Sequence, residues 1–210
     1  MIKGIVCCWL MLVLLLASGN NKWLSKNSYF LQNSYYKENV YAELDTKSFY
    51  QLNEIQKQID IENLDLHLLN ACLFFATNRL RLMYHLAPLK MDKKLLQAVV
   101  IHSEQMAQYQ FFEHDNPYNS KLKTEEDRFA ACGIKEYQTT AENCHLEYFD
   151  DVESSYIKLA QEIIESLYNS PPHRYNLLYN DFQFSACGTA IRKTAKGEIC
   201  LYVTQDFYTK

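Results

Sequence analysis

Gln183-Phe184-Ser185-Ala186-Cys187-Gly188-Thr189-Ala190-Ile191 and Glu198-Ile199-Cys200-Leu201-Tyr202-Val203-Thr204-Gln205-Asp206-Phe207 are two β-rich runs near the end of this 210-residue chain. β-Branched and aromatic residues fill both, and residues 193–197 between them end on a glycine, so the pair reads as a hairpin. Nearly all regular structure upstream reads as helix. Helices first and a small antiparallel sheet last is an α+β order, with helices packed on the sheet faces.

The helices follow from apolar spacing and from their end signals. Leu64, Leu68, Cys72, Phe75 and Leu82 recur at helical intervals until Pro88 stops them. Residues 88–91 then read as extended. Asp92 caps a second helix with Leu95, Leu96, Val99, Met106 and Phe111 on its apolar side. Residues 113–123 are loop. Thr124 with Asp127 resembles a capping box, and Gly133 ends a short helix over 125–132. A strand is expected near 143–149. Asp150 or Asp151 is the expected start of a longer helix that Pro171-Pro172 ends, with a turn over 173–179. Upstream, Asp45-Thr46 is expected to cap a short helix running through Ile59, after an irregular, tyrosine-rich leader.

Hydrophobic residues make up 48% and charged residues 22%, an ordinary globular balance. The net charge of −4, with no basic stripe, argues against a nucleic-acid surface. Lys3 followed by an apolar run to Ala17, then Ser18-Gly19, fits a secretory signal over residues 1–19. That run is too short to cross a bilayer comfortably, so no membrane span is expected after cleavage. The domain expectation is signal 1–19, an extension with a short helix over 20–62, and one domain over 63–210. The expected location is secreted, periplasmic or cell envelope. Export makes disulfides possible, and Cys187 with Cys200, then Cys132 with Cys144, are the candidate pairs; buried free thiols are the alternative.

The chemistry-bearing residues are His114, in Phe111-Phe112-Glu113-His114, Glu142, in Thr140-Ala141-Glu142-Asn143, and His173, in Ser170-Pro171-Pro172-His173-Arg174. Two imidazoles and a carboxylate that meet make a metal site, an acid/base site or a stiffening hydrogen-bond network. His102, His67 and His85 read as helix-face residues, and His145 as structural. Arg128 and Arg174 read as salt-bridge partners of nearby carboxylates, and Asn143 as a brace for turning backbone.

Several short patterns occur in one order: Asn78-Arg79, Ala87-Pro88-Leu89, Phe112-Glu113-His114, Asp127-Arg128 with Gly133, Ala141-Glu142-Asn143, Ser170-Pro171-Pro172-His173-Arg174-Tyr175-Asn176-Leu177-Leu178, Cys187-Gly188-Thr189-Ala190 and Tyr202-Val203-Thr204-Gln205-Asp206-Phe207. From residue 63 onward this set resembles the CAP superfamily of cysteine-rich secretory, venom-allergen and pathogenesis-related proteins, in its bacterial branch. The resemblance implies an α-β-α sandwich whose cavity often carries a His-Glu-Glu-His tetrad, sometimes with zinc or another divalent metal. His114, Glu142 and His173 match three of the four positions, and Ser170 stands at the fourth. Leu167 and Ala190 also depart from the pattern, at a usual tryptophan and a usual glycine. The implied cavity lining includes Ser170, Asn143 and Arg174. Three functions stay open: a binding module for a small hydrophobic ligand, lipid or protein; a metal-dependent hydrolase of peptides or envelope polymers; and a scaffold with a vestigial cavity.

Overall fold

The computed structural model describes residues 39–149 and 154–210. The signal expected over residues 1–19 lies outside the described residues, as do residues 20–38 of the extension. Helix α1, Asn39–Glu43, sets the Tyr41 ring against Phe74 and Phe75. Asp45 caps a helix as expected, but α2 covers only Thr46–Phe49 and does not run to Ile59. A 3-10 turn, Glu54–Gln56, comes next. Phe49 and Ile55 are both fully buried in the same core. Six residues apart on one helix, their side chains would diverge by about 120°, so the chain must break between them.

Helix α3, Leu66–Met83, is capped by the Asp65 carboxylate, and α4, Lys93–Tyr109, by that of Asp92. Strand β1, Lys90–Met91, lies between them. The Thr124–Asp127 capping box opens α5, Glu125–Ala131, and Gly133 lies just beyond it at φ 79°. Strand β2, Thr139–Phe149, leads to α6, Tyr156–Asn169. Asp150 and Asp151 are outside the described residues; the cap of α6 is Ser155. The reason is local. Ser154 O accepts from Ile59 N at 2.9 Å and Ser155 bridges Gln58, which holds the backbone extended until that point. Pro171-Pro172 do end α6, yet the chain continues as a further helix, α7, Pro171–Leu178, where a turn was expected. Proline suits the first turn of a helix because its missing N–H has no partner there anyway.

Strands β3, Phe184–Lys193, and β4, Ile199–Thr209, form the expected hairpin. The sheet order is β1-β3-β4-β2, with β1 parallel to β3 and the other pairs antiparallel. Every position of β4 is buried. Alternate residues point to alternate faces. Cys187, Ile191, Leu201, Val203 and Phe207 face α3 and α6. Ala186 and Tyr208 face α4 and α5, while Ala190, Cys200 and Tyr202 face the end of α4. The α-β-α layering of the expected fold is present. Gly188 sits where α4 crosses β3, and a Cβ there would come within 2.5 Å of Val100 N.

The register corrects the disulfide expectation. Cys187 stands opposite Gln205 and Cys200 opposite Arg192, with the two thiols in cores on opposite faces of the sheet. Cys132 ends α5, and Cys144 packs in the core at the end of α4. Both are free, like the other cysteines among the described residues.

Candidate functional site

Antiparallel pairing of β2 with β4 sets Glu142 opposite Asp206 and Cys144 opposite Thr204. All four point to the α4–α5 face by strand alternation. Helix α4 adds His102 and Ser103, and Ser103 Oγ donates to the Gly188 carbonyl at 2.9 Å. Helix α5 adds Glu125 and Arg128. The loop after α4 adds His114.

Glu142 is the hub. Its Oε1 accepts from His114 Nδ1 at 2.7 Å, and its Oε2 forms a short ion pair with Arg128 Nη2. Arg128 Nη1 also donates to the carbonyls of His114, at 3.2 Å, and Lys123, at 3.1 Å. One guanidinium thus fastens both the carboxylate and the loop that carries the histidine. The side chain of His114 is 59% exposed, against 4% for Glu142 and 0% for Arg128. Burial alone would raise the Glu142 carboxyl, but the His114 bond and the Arg128 charge outweigh it and hold it below the ordinary range. The same bond raises His114.

Around this hub sit groups whose charge burial suppresses. His102 is fully buried, donates Nε2 to the Glu113 carbonyl at 3.1 Å, and lies 3.9 Å from Glu142 Oε1. Burial pushes its pKa down to about 4, against the pull of Glu142. Glu125 accepts from Thr140 Oγ1 at 3.2 Å and is pushed up to about 7 by burial and then by Glu142. Burial, and after it Glu142 and Glu125, drives Asp206 well above the carboxylate range. The Cys144 thiol is raised by burial and by Glu142, so its 3.9 Å approach to His114 Nδ1 is not an activated Cys–His pair.

His173 arrives differently. It lies on α7, half-buried, and α7 docks on the other face of β2. Asn143 Nδ2 donates to the His173 carbonyl at 3.3 Å, and Asn176 Nδ2 donates to Asn143 Oδ1 at 2.9 Å. Burial lowers the His173 imidazole, and the nearby His114 and His145 rings lower it further. Its ring has no hydrogen bond to Glu142 among the described residues. Thus His114 and Glu142 are in direct contact, with His173 in their electrostatic neighbourhood. Of the expected lining, Asn143 braces α7 as described. Ser170 joins α6 to α7 without a side-chain cap, and Arg174 stacks over the Tyr168 ring at 5.3 Å, with no carboxylate partner among the described residues. Arg128 does form its expected salt bridge. A 370 Å³ cavity between α3 and α6, lined by Tyr50, Ala76, Arg79, Leu80, Met83 and Tyr168 among others, shares no residue with this cluster.

Sequence reading missed His102, Glu125 and Asp206. Asp206 carried a signal: it is the one acidic side chain in Ile199–Phe207, a stretch of otherwise uncharged, largely apolar residues. His102 carried none, because helical spacing does not say which stripe meets a carboxylate from another element.

The pattern of the cysteine-rich secretory protein (CAP) family matches residues 74–207. No curated protein matches the sequence. Among solved structures, an extracellular protein containing a SCP domain from Bacillus anthracis is 26% identical at TM-score 0.48, over 66% of this chain and 39% of that one. An outer surface protein from Borrelia burgdorferi is 17% identical at TM-score 0.50, over 74% of this chain and 98% of that one. A cysteine-rich secretory protein from Staphylococcus aureus is 22% identical at TM-score 0.47, over 68% and 39%. This chain therefore spans about two fifths of the Bacillus and Staphylococcus proteins.

Proposed function

This chain belongs to the cysteine-rich secretory protein family, and from that premise we propose that it is an extracytoplasmic binding module whose ligand meets His114. The domain runs over residues 63–210, behind a signal at 1–19 and the extension at 20–62. No helix among the described residues is long and apolar enough to cross a membrane. The supporting observation is the gradient of exposure across one hydrogen-bonded line: exposed His114, buried Glu142, buried Arg128. Arg128 keeps Glu142 ionised, and Glu142 holds His114 Nδ1–H, so Nε2 is presented outward in a fixed orientation. His173, carried by α7 and braced by Asn143, lies within electrostatic reach of His114. The ligand class is a small hydrophobic molecule, a lipid or a protein.

Zinc at this rim fits poorly. Among the described residues the donor atoms that gather within 4.8 Å are those of His102, Glu142 and Cys144, not His114 and His173. No step is therefore routed through a rim metal.

The test is organic extraction of the purified chain followed by mass spectrometry. A co-purifying molecule should be found, and it should be lost in His114→Ala combined with His173→Ala. Identical extracts from the two proteins would overturn the proposal. A second reading, hydrolysis with His114 as general base, draws on the His–carboxylate order, which also occurs in hydrolases. Turnover of a peptide or envelope-polymer panel, abolished by His114→Ala, would favour it; no turnover would remove it.

A further inference from the structure

We propose that His102, Glu142, Cys144 and Asp206 form a buried zinc-type site that shares Glu142 with the His114 rim but uses neither His114 nor His173. Three of these residues already converge: ligand atoms of His102, Glu142 and Cys144 lie within 4.8 Å of one another. Asp206, whose oxygens lie outside that 4.8 Å group, is assigned as the fourth. It stands in register opposite Glu142 on β4, is fully buried, and both of its oxygens lack a hydrogen-bond partner among the described residues. Burying a carboxyl without partners is costly, and native interiors seldom tolerate it.

The deficit is concentrated. Of the eight partnerless buried side-chain atoms among the described residues, five belong to His102, Glu125, Arg128 and Asp206. A cation in their midst would take up the two Asp206 oxygens.

The donor types narrow the ion. One imidazole, one thiol and two carboxylates suit a borderline-soft, tetrahedral cation, and they disfavour calcium and magnesium, which take oxygen alone. Tetrahedral ligands of zinc stand about 3.5 Å apart, so His102, Glu142 and Cys144 must close by up to about 1 Å and Asp206 must move in towards them. Charge also balances. A divalent ion together with the Arg128 guanidinium neutralises two carboxylates and a thiolate. If His102 binds through Nε2, it gives up its bond to the Glu113 carbonyl, and the ring proton moves to Nδ1, which has no other partner. Four protein ligands leave no open position, so the ion would clasp α4, β2 and β4 together rather than turn over substrate.

The experiment uses the full chain, with zinc measured by elemental analysis and replaced by Co²⁺. The expected result is about one metal per chain. A sulfur-to-cobalt charge-transfer band should accompany it. Cys144→Ser should abolish the band, and Asp206→Asn should weaken cobalt binding about tenfold or more. His173→Ala should leave both unchanged. Circular dichroism checks that the variants fold, and the unsubstituted chain decides the matter even where a variant does not. A metal-free chain that also shows no such band, a band that survives Cys144→Ser, or metal lost only with His173→Ala would each overturn the proposal. Ligand extraction reads the rim separately, so the two proposals can fail independently.

Discussion

Gln205 and Asp206 are consecutive on β4, yet their side chains enter opposite kinds of interior. Gln205 faces α3 and joins a neutral network: its Nε2 donates to Thr77 Oγ1 at 2.7 Å, Thr77 Oγ1 donates to the Leu73 carbonyl, and Asn143 reaches Gln205 Oε1 at 3.4 Å. Nearby, Thr189 bonds Asn70 at 2.6 Å. Asp206 faces α4 and joins a cluster of ionisable groups with a single guanidinium. The first network is amides and hydroxyls, mostly satisfied, and it glues helices to the sheet. The second is charged, under-satisfied and connected to an exposed imidazole. Amide networks cost little to desolvate once paired; buried charges stay costly even when paired. Where a chain keeps such charges, a role beyond packing is the natural place to look.

That contrast can be broken most directly at Arg128. Arg128→Met strands Glu142 beside Glu125 and Asp206, and should lower unfolding free energy by about 3–5 kcal/mol in denaturant titration. A loss no greater than that at Gln205 would erase the distinction between the two sides. Gly188→Ala probes the same side sterically. The clash is with the α4 backbone, which cannot rotate away, so about 3 kcal/mol is expected by the same measurement. Gln205→Leu removes partners from Thr77 and Asn143 and should cost about 1–3 kcal/mol, without altering the pH dependence of stability.

The smallest effect is the sharpest. Glu125 titrates near 4.5 when unfolded and is raised to about 7 in the fold. Its neutral form is the one the fold favours, so its contribution is present below pH 4.5 and is lost as pH rises towards and through 7. Glu125→Gln should flatten that part of the stability–pH curve, whereas Glu142→Gln should act on the acid side, where its depressed carboxyl is protonated. Thermal midpoints across pH check both.

Much of the architecture could be read from residues that act locally. Asp92 and the Thr124–Asp127 box cap their helices, and Gly133 and the hairpin stand where the sequence places them. Local signals failed where a tertiary contact decides: α6 starts at Ser155 because Ser154 and Ser155 are tied to residues 58–59, and α2 stops early so that Phe49 and Ile55 reach one core. The site follows the same division. His114 and Glu142 stood out by type and setting. Asp206 and His102 did not, because their meeting depends on the register of two strands about sixty residues apart and on the rotation of α4 about its axis.

Among the described residues, strand β4 is also the only element that bonds β2 to the rest of the sheet, and it supplies β3 with its longer partner. During synthesis, no earlier stretch can stand in for it. Until residue 209 has left the ribosome, β2 has no ladder to join, and Glu142 has no carboxyl opposite it. The nascent chain can hold helices, but the sheet waits for β4, a topology of long-range pairings that folds slowly and leaves apolar helix faces open to chaperones until that strand emerges.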